Sequence, residues 1–418
     1  MATLQSGVML SMSLRYHLAL WSLAATVFAI PWQEAVVIPG VGSVVRLLGA
    51  LALILSAMSI VENDGVRFRS FPPFLIVAGV YVFWTILSFF WTVDTSATRS
   101  TIITHAQLLL FVWAIWQLSI ARSGRRLLAQ AYVLGSFVAA GNVLYVFVFH
   151  SERINLDGRT TALGGNHNDI AAVMAIAIAM AWWLMTQHRG RLLSVVNLLY
   201  VPIGVFAIVL TGSRGGTLAA VVALAAIVLT LNQVRPVVRL LVACAVLGTV
   251  AVAMTLPPDI QERALPALER VGETAEMVGS SDLTGRTEIW RAGYEALRES
   301  PIVGYGGDAF PSAVTYWLGY AKSAHNTFLA VAVNTGLIGL ALFCLVLLAV
   351  LVSILWQPRS ATRTTELVLF AVLLVSIFPL GWEYYKTTWF VLAVLGAGPL
   401  RSTVPKAARL RNLVAEGA

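Results

Sequence analysis

The chain has 418 residues, 58% of them hydrophobic and only 11% charged, with a formal net charge of +8. So little polar surface excludes a water-soluble globular protein of this length, and continuous apolar runs without short alternating segments exclude a transmembrane β-barrel. The positive charge is concentrated at the ends of apolar runs, which is the pattern of membrane orientation and carries no implication of nucleic-acid binding.

Hydropathy predicts an all-α polytopic membrane protein with about twelve transmembrane helices. In chain order they lie near residues 16–31, 43–60, 72–91, 101–120, 127–148, 169–187, 192–211, 215–231, 237–255, 326–353, 365–380 and 387–400. The first run follows Arg15 and has signal-peptide character, but the spans that follow it make it a retained helix. Residues 1–418 read as a single integral membrane domain, and residues 256–325 form its one large extramembrane loop. In that loop QERALPALERVGETAEMV has the period of an amphipathic helix, with Leu265, Leu268 and Val271 on one face. A second helix, RTEIWRAGYEALRES, starts after Gly285 and is stopped by Pro301, with Ile289, Trp290, Tyr294 and Leu297 on its apolar side. Short amphipathic helices of this kind lie along a membrane interface. PIVGYGGDAF then supplies a glycine-rich turn.

An even number of spans puts both termini on one side. That side collects Arg15, Arg67, Arg69, Arg122, Arg125, Arg126, Arg189, Arg191, Arg235, Arg239, Arg359 and Arg363, with Arg401, Lys406, Arg409 and Arg411 in the tail. The other side holds fewer, among them Arg46, Arg99 and Arg153. The positive-inside rule therefore predicts both termini in the cytoplasm and the large loop outside. Cys244 and Cys344 fall within spans and read as small apolar packers. No metal-ligand or nucleotide-binding pattern is present, so neither a metal nor any other cofactor is expected.

Every even-numbered span presents its N-terminus to the outer face, and three of these N-termini carry unusual polar sequence. Span six follows GRTTALGGNHND, span eight begins within TGSRGGT, and span ten follows SAHN; LTGRTEIW lies in the outer loop on the same side. Helix N-termini attract anions, glycines admit a ligand close to the backbone, and arginine forks match phosphate oxygens. Arg159, Arg214 and Arg286 thus make a candidate diphosphate site, with Ser213, Gly215, Asn166, Asn168, Asn326, Tyr305 and Lys386 as further candidate substrate-binding residues. His325, near cations at a helix N-terminus, is expected to have a lowered pKa and to serve as a base. Taken singly each has a plainer reading: the arginines as interfacial anchors or ion-pair partners, Asn166 and His167 as turn formers, Asn168 as a helix cap, Lys386 as an anchor beside its aromatic belt. Their common face favours a site.

In order and spacing these residues resemble the O-antigen ligases, within the Wzy-like group of ligases and polymerases. The resemblance rests on the span count, the outer loop between spans nine and ten, Gly212-Ser213-Arg214, Gly285-Arg286 followed by Trp290, the G-x-G after Pro301, and His325-x10-Gly336. It covers nearly the whole chain. It implies a glycosyltransferase of the C type in the bacterial inner membrane with a periplasmic active site. Such an enzyme moves a glycan from undecaprenyl diphosphate to a sugar hydroxyl of lipid A–core oligosaccharide, with inversion and without a metal. His325 matches the essential histidine of the family and Arg214 and Arg286 its essential arginines; Arg159 matches less securely. Membrane lipids are the remaining partners, and a monomer is the default. An O-antigen polymerase and a protein O-oligosaccharyltransferase share this donor chemistry. A transporter or flippase for a lipid-linked anion is the alternative of another class, and polar groups at one face of nearly uncharged spans weigh against it.

Overall fold

The computed structural model describes residues 14–40, 42–61, 69–119, 122–150, 152, 154, 159–160, 164–187, 190–234, 236–255, 258–272 and 286–397. Gly158 and Gly285, the end of the first loop helix, Arg67, Arg153, Arg189, Arg235 and the basic tail lie outside the described residues.

Each predicted span coincides with one helix. These are α1 (Leu14–Ala29), α2 (Val44–Val61), α3 (Pro73–Leu87), α4 (Thr95–Leu118), α5 (Arg122–Phe149), α6 (His167–Gln187), α7 (Arg191–Leu210), α8 (Arg214–Thr230) and α9 (Pro236–Thr255). The loop then carries α10 (Pro258–Gly272), α11 (Arg286–Glu299) and α12 (Phe310–Leu318), followed by α13 (Thr327–Leu355), α14 (Ala361–Ile377) and α15 (Lys386–Gly396). Among the described residues, α3 to α8 and α13 make seven helices long and apolar enough to cross a membrane, by length and composition. Helix α15 has 11 residues, or about 16 Å of rise, well short of a bilayer core. A two-stranded ribbon, β1 (Val37–Ile38) with β2 (Gly42–Ser43), joins α1 to α2.

The centre of the bundle is α6. Every residue from Ile170 to Met185 is buried, as expected of a helix that is apolar all round. Helices α5, α7, α8 and α14 pack on it, and α8 packs in turn on α14. The outer helices instead expose large apolar side chains such as Leu192 and Val228, each 76% accessible, a surface suited to lipid. The spans also contain a charge pair that hydropathy did not anticipate. Arg125, at the start of α5, meets Glu366 of α14 at 3.0 Å, both buried. Trp183 and Gln357 donate to the same carboxylate, so the charge is compensated on several sides.

The loop helices form where the sequence places them, each with one face on the bundle. In α10 the buried residues are Ala264 and Ala267, while Leu265 and Leu268 are about half exposed. The small residues pack on the bundle, against α7 and α8, and the large ones face outward. In α11, Ile289, Ala292 and Ala296 are buried and Tyr294 is exposed; they pack against α12 and α13.

The glycine-rich turn has a specific place. Helix α13 is interrupted at Gly336, with φ 69° and ψ −176°, a conformation that is essentially glycine-only. The segment after α11 docks into the break. Leu337 N–H donates to Pro301 O at 2.8 Å, Tyr305 N–H to Val333 O at 3.0 Å and Gly306 N–H to Asn334 O at 2.8 Å. The Asn334 side chain accepts from Phe310 N–H at 2.7 Å, and Trp84 of α3 donates to Thr335 O at 2.8 Å. Backbone groups freed by the break are thus satisfied by the loop, as a lipid-embedded segment requires. A Cβ on Gly336 would stand 2.0 Å from Ile302 O. Gly336→Ala is therefore expected to cost at least about 1–3 kcal/mol in backbone strain alone, with the steric overlap added. It is checked by melting temperature and folded yield in detergent.

Candidate active site

A cavity of about 1120 Å³ opens among the N-terminal ends of α6 and α8, the helices α10 and α11, the segment before α13 and the C-terminal end of α14. It gathers residues from every polar N-terminus marked in the sequence: Arg159 and Asn168, Ser213, Arg214 and Gly215, Arg286, and His325. Four candidates are placed elsewhere. Asn326 caps α13, accepting from Leu329 N–H at 3.0 Å. Asn166, just before α6, accepts from Asn168 N–H at 2.8 Å, so it is the N-cap and Asn168 is not. Tyr305 donates to Ala296 O at 3.1 Å, and Lys386 donates to Gln33 at 2.6 Å. None of these four lines the cavity.

The arginine wall is built around the turn into α8. Ser213 is the N-cap, its Oγ accepting from Gly216 N–H at 3.2 Å, and it donates to Asn168 Oδ1 at 2.8 Å. Arg159 donates to the same oxygen at 3.0 Å. One half-buried amide thus fixes both the cap and the first guanidinium. Gly212 has φ 57°, and a Cβ there would press on Arg159 Cγ at 3.1 Å and on Arg270 Cδ at 3.4 Å. The absent side chain leaves room for two arginines beside the turn. Arg214 Nε donates to Arg270 O at 3.3 Å, tying α8 to α10. Arg270, which also lines the cavity, was missed in the sequence because a basic residue in the last turn of an amphipathic helix is ordinary.

His325 lines the same cavity. It and Asp308 are the described non-glycine residues with positive φ, 47° in His325, a conformation with a steric cost that marks a constrained position. Its Nε2 lies 3.3 Å from Ser323 Oγ. Burial lowers its pKa below the ordinary 6.5, and the charges of Arg286 and Lys322 lower it further. The expected direction is met, with burial as the first cause. Burial also lowers the Arg286 pKa from its usual 12.5. Lys322 and Tyr320, at the exposed rim, went unmarked because surface lysines and tyrosines are common.

Both sides of the cavity are held by the loop between α14 and α15. Thr327, two residues after His325, donates to Leu380 O and accepts from Trp382 N–H, each at 2.8 Å. The Trp382 indole donates to Asp169 at 2.8 Å, next to the Asn168 that holds Arg159 and Ser213. Its ring stacks on Tyr385 at 4.4 Å between centroids. Trp382 therefore braces the start of α13 against the start of α6. From α14 and this loop come Leu374, Val375, Phe378, Pro379 and Leu380, which make an apolar wall. The site thus offers a histidine held neutral, several guanidinium groups and a greasy face, a combination suited to a lipid-linked anion.

Residues 199–344 match a family model, Wzy_C, described as O-antigen ligase. The matched segment carries Arg214, Arg270, Arg286, Lys322, His325 and Gly336, while Arg159 and Asn168 lie before it. Over 170 residues the chain is 34% identical to the exopolysaccharide production protein ExoQ of Rhizobium meliloti (strain 1021). That match covers 37% of this chain and 37% of the relative. Through this central segment the chain is similar to the O-antigen ligase family.

The charges around His325 set a pH dependence. If the neutral imidazole is the working form, activity falls as pH drops through the depressed pKa, so the acid limb lies below 6.5. Removing a neighbouring cation stabilises the imidazolium and raises that pKa. Lys322→Ala is therefore expected to move the acid limb of kcat/KM to higher pH, as read from a pH–rate profile.

Proposed function

We propose that this chain is a membrane glycosyltransferase that moves a glycan from undecaprenyl diphosphate to a sugar hydroxyl of lipid A–core oligosaccharide, at the periplasmic face of the bacterial inner membrane. The observation that carries the reading is the meeting of His325, Arg214 and Arg286 around one cavity that also has an apolar wall. In the proposed reaction Arg214 and Arg286 hold the diphosphate and stabilise the charge that grows on it as the glycosidic bond breaks. Arg159, fixed by Asn168, adds to the same field. His325 takes the proton of the acceptor hydroxyl as its oxygen attacks the anomeric carbon. One displacement from the face opposite the leaving group inverts the anomeric centre. The guanidinium groups do the work a metal would otherwise do, and the apolar wall holds the first isoprene units of the carrier.

A polymerase reading has one observation in its favour, since the relative's name concerns exopolysaccharide production. The chemistry at the anomeric carbon is the same; the acceptor is then a second lipid-linked glycan. Protein O-glycosylation differs again only in the acceptor. Transport is disfavoured by the placement of the cations along one cavity wall around a histidine suited to general base catalysis.

The test is reconstitution of purified protein with a polyprenyl-diphosphate glycan and lipid A–core in the presence of EDTA. Transfer to lipid A–core by wild type, reduced about 100-fold or more in His325→Ala, is the expected result. Lengthened glycan on the polyprenyl carrier would assign the polymerase, and transfer abolished by EDTA would overturn the metal-free mechanism. Arg214→Lys and Arg286→Lys are each expected to lose about 100-fold in rate despite keeping the charge, because a single ammonium does not reproduce the bidentate fork. Full activity in either lysine variant would remove that residue from the diphosphate site.

A further inference from the structure

Between α12 and α13 the chain passes through residues 320–325, which belong to neither helix. None of them makes a backbone–backbone hydrogen bond. Within the segment Ser323 Oγ lies 3.3 Å from His325 Nε2. Among the described residues a single hydrogen bond reaches it from elsewhere: the Trp290 indole Nε1–H donates to Ala324 O at 3.0 Å. Ala324 is buried, and the next residue is His325 with its φ of 47°. A non-glycine residue keeps such a backbone only where its neighbours hold it there.

Trp290 is carried on the same helix as Arg286, one turn later, and both line the cavity. Its ring meets Phe378 of the apolar wall edge to face, with centroids 6.5 Å apart. The helix beneath it is anchored: Ile289 and Ala292 of α11 share a small core with Phe310, Ala324 and Val333. On the other side of His325, Thr327 is tied to Leu380 and Trp382. The histidine therefore hangs between two tethers, one residue from the first and two from the second. The second belongs to the bundle, and the first comes from the helix that bears Arg286.

We propose that Trp290 is a positioning residue for His325: by holding Ala324 O, its indole N–H keeps the next residue in its left-handed backbone conformation and the imidazole at the cavity. The inference rests on the transferase reading, in which His325 is the base. It adds that α11 sets the base and one diphosphate ligand relative to each other, since Arg286 and Trp290 stand one helical turn apart. The indole is a donor only, and its N–H is engaged by the carbonyl, so Trp290 takes no part in proton transfer. Its effect on rate comes through geometry alone, and a displacement of about 1 Å in a reacting group can cost about 100-fold.

The experiment uses the full chain with a polyprenyl-diphosphate glycan, transfer being read on whichever acceptor takes it, lipid A–core or a second lipid-linked glycan. It compares wild type, Trp290→Phe, His325→Ala and the double variant. Phenylalanine keeps a ring against Phe378 and removes the N–H. Trp290→Phe is expected to lower kcat about tenfold, with the donor KM within about twofold and the melting temperature close to that of wild type. In the His325→Ala background the same change is expected to cost less than about twofold, because no base is left to misplace. Trp290→Met, a second apolar filler without an N–H, repeats the cycle and carries the test if the phenylalanine variant does not fold. Equal losses with and without His325, a changed donor KM at unchanged kcat, or full activity in Trp290→Phe would overturn the positioning role alone. Loss of folding in both variants would make Trp290 a packing residue and overturn it too. Failure of wild type to transfer to either acceptor, or full activity in His325→Ala, would overturn the reading of His325 as the base of a transferase and the positioning role with it.

Discussion

The structure turns on a broken helix. An apolar segment in lipid must satisfy every backbone N–H and C=O within protein, so a helix interruption is tolerated only where other backbone fills it. In α13 the break at Gly336 is filled by residues 301–306, and Asn334 adds a side-chain acceptor for the N-terminus of α12. This one contact fixes the path of the outer loop. Because 301–306 is anchored, α11 packs on α13 and brings Arg286 to the cavity, and the short helix α12 leads the chain back to His325. The spacing from His325 to Gly336 thus has a mechanical meaning. It sets the length of the half-helix that separates the site from its anchor.

The second constraint is electrostatic. Four arginines and a lysine share one cavity. Asn168 and the carbonyls of Thr211 and Arg270 accept from Arg159 and Arg214 and help to hold them there. Together the cations make a positive field suited to an anionic ligand. The same field bears on His325, where burial and two neighbouring cations hold the imidazole toward its neutral form. Anion binding and the readiness of the base therefore come from one distribution of charge.

Much of this was legible in the chain. The apolar runs carry their own length, so every predicted span meets a helix, and Pro301 ends α11 as a proline must. Polar sequence at helix N-termini marked four of the six parts of the cavity wall: α6, α8, α11 and the segment before α13. Other features were hidden for physical reasons. Arg270 and Lys322 sit in ordinary helix and loop sequence, and only packing brings them to the cavity. The face of α10 that meets the bundle, Ala264 and Ala267, was not singled out because hydrophobicity ranks leucine above alanine, whereas close approach favours the smaller residue. Glu366 was overlooked as a lone acid within an apolar run, since its partners Arg125 and Trp183 come from distant parts of the chain.

What the sequence by itself determined is the class of protein, the order of its helices and the candidate residues His325, Arg159, Arg214 and Arg286. These follow from local properties: hydrophobic length, helix-capping chemistry and charge at helix ends. Only the tertiary structure decided which polar residues share a space. It drew Asn168 into the arginine wall and left Asn166, Asn326, Tyr305 and Lys386 to caps and packing. It also set Trp382 between α6 and α13. A hydrogen bond between residues more than two hundred positions apart depends on how helices pack, and no local pattern encodes that.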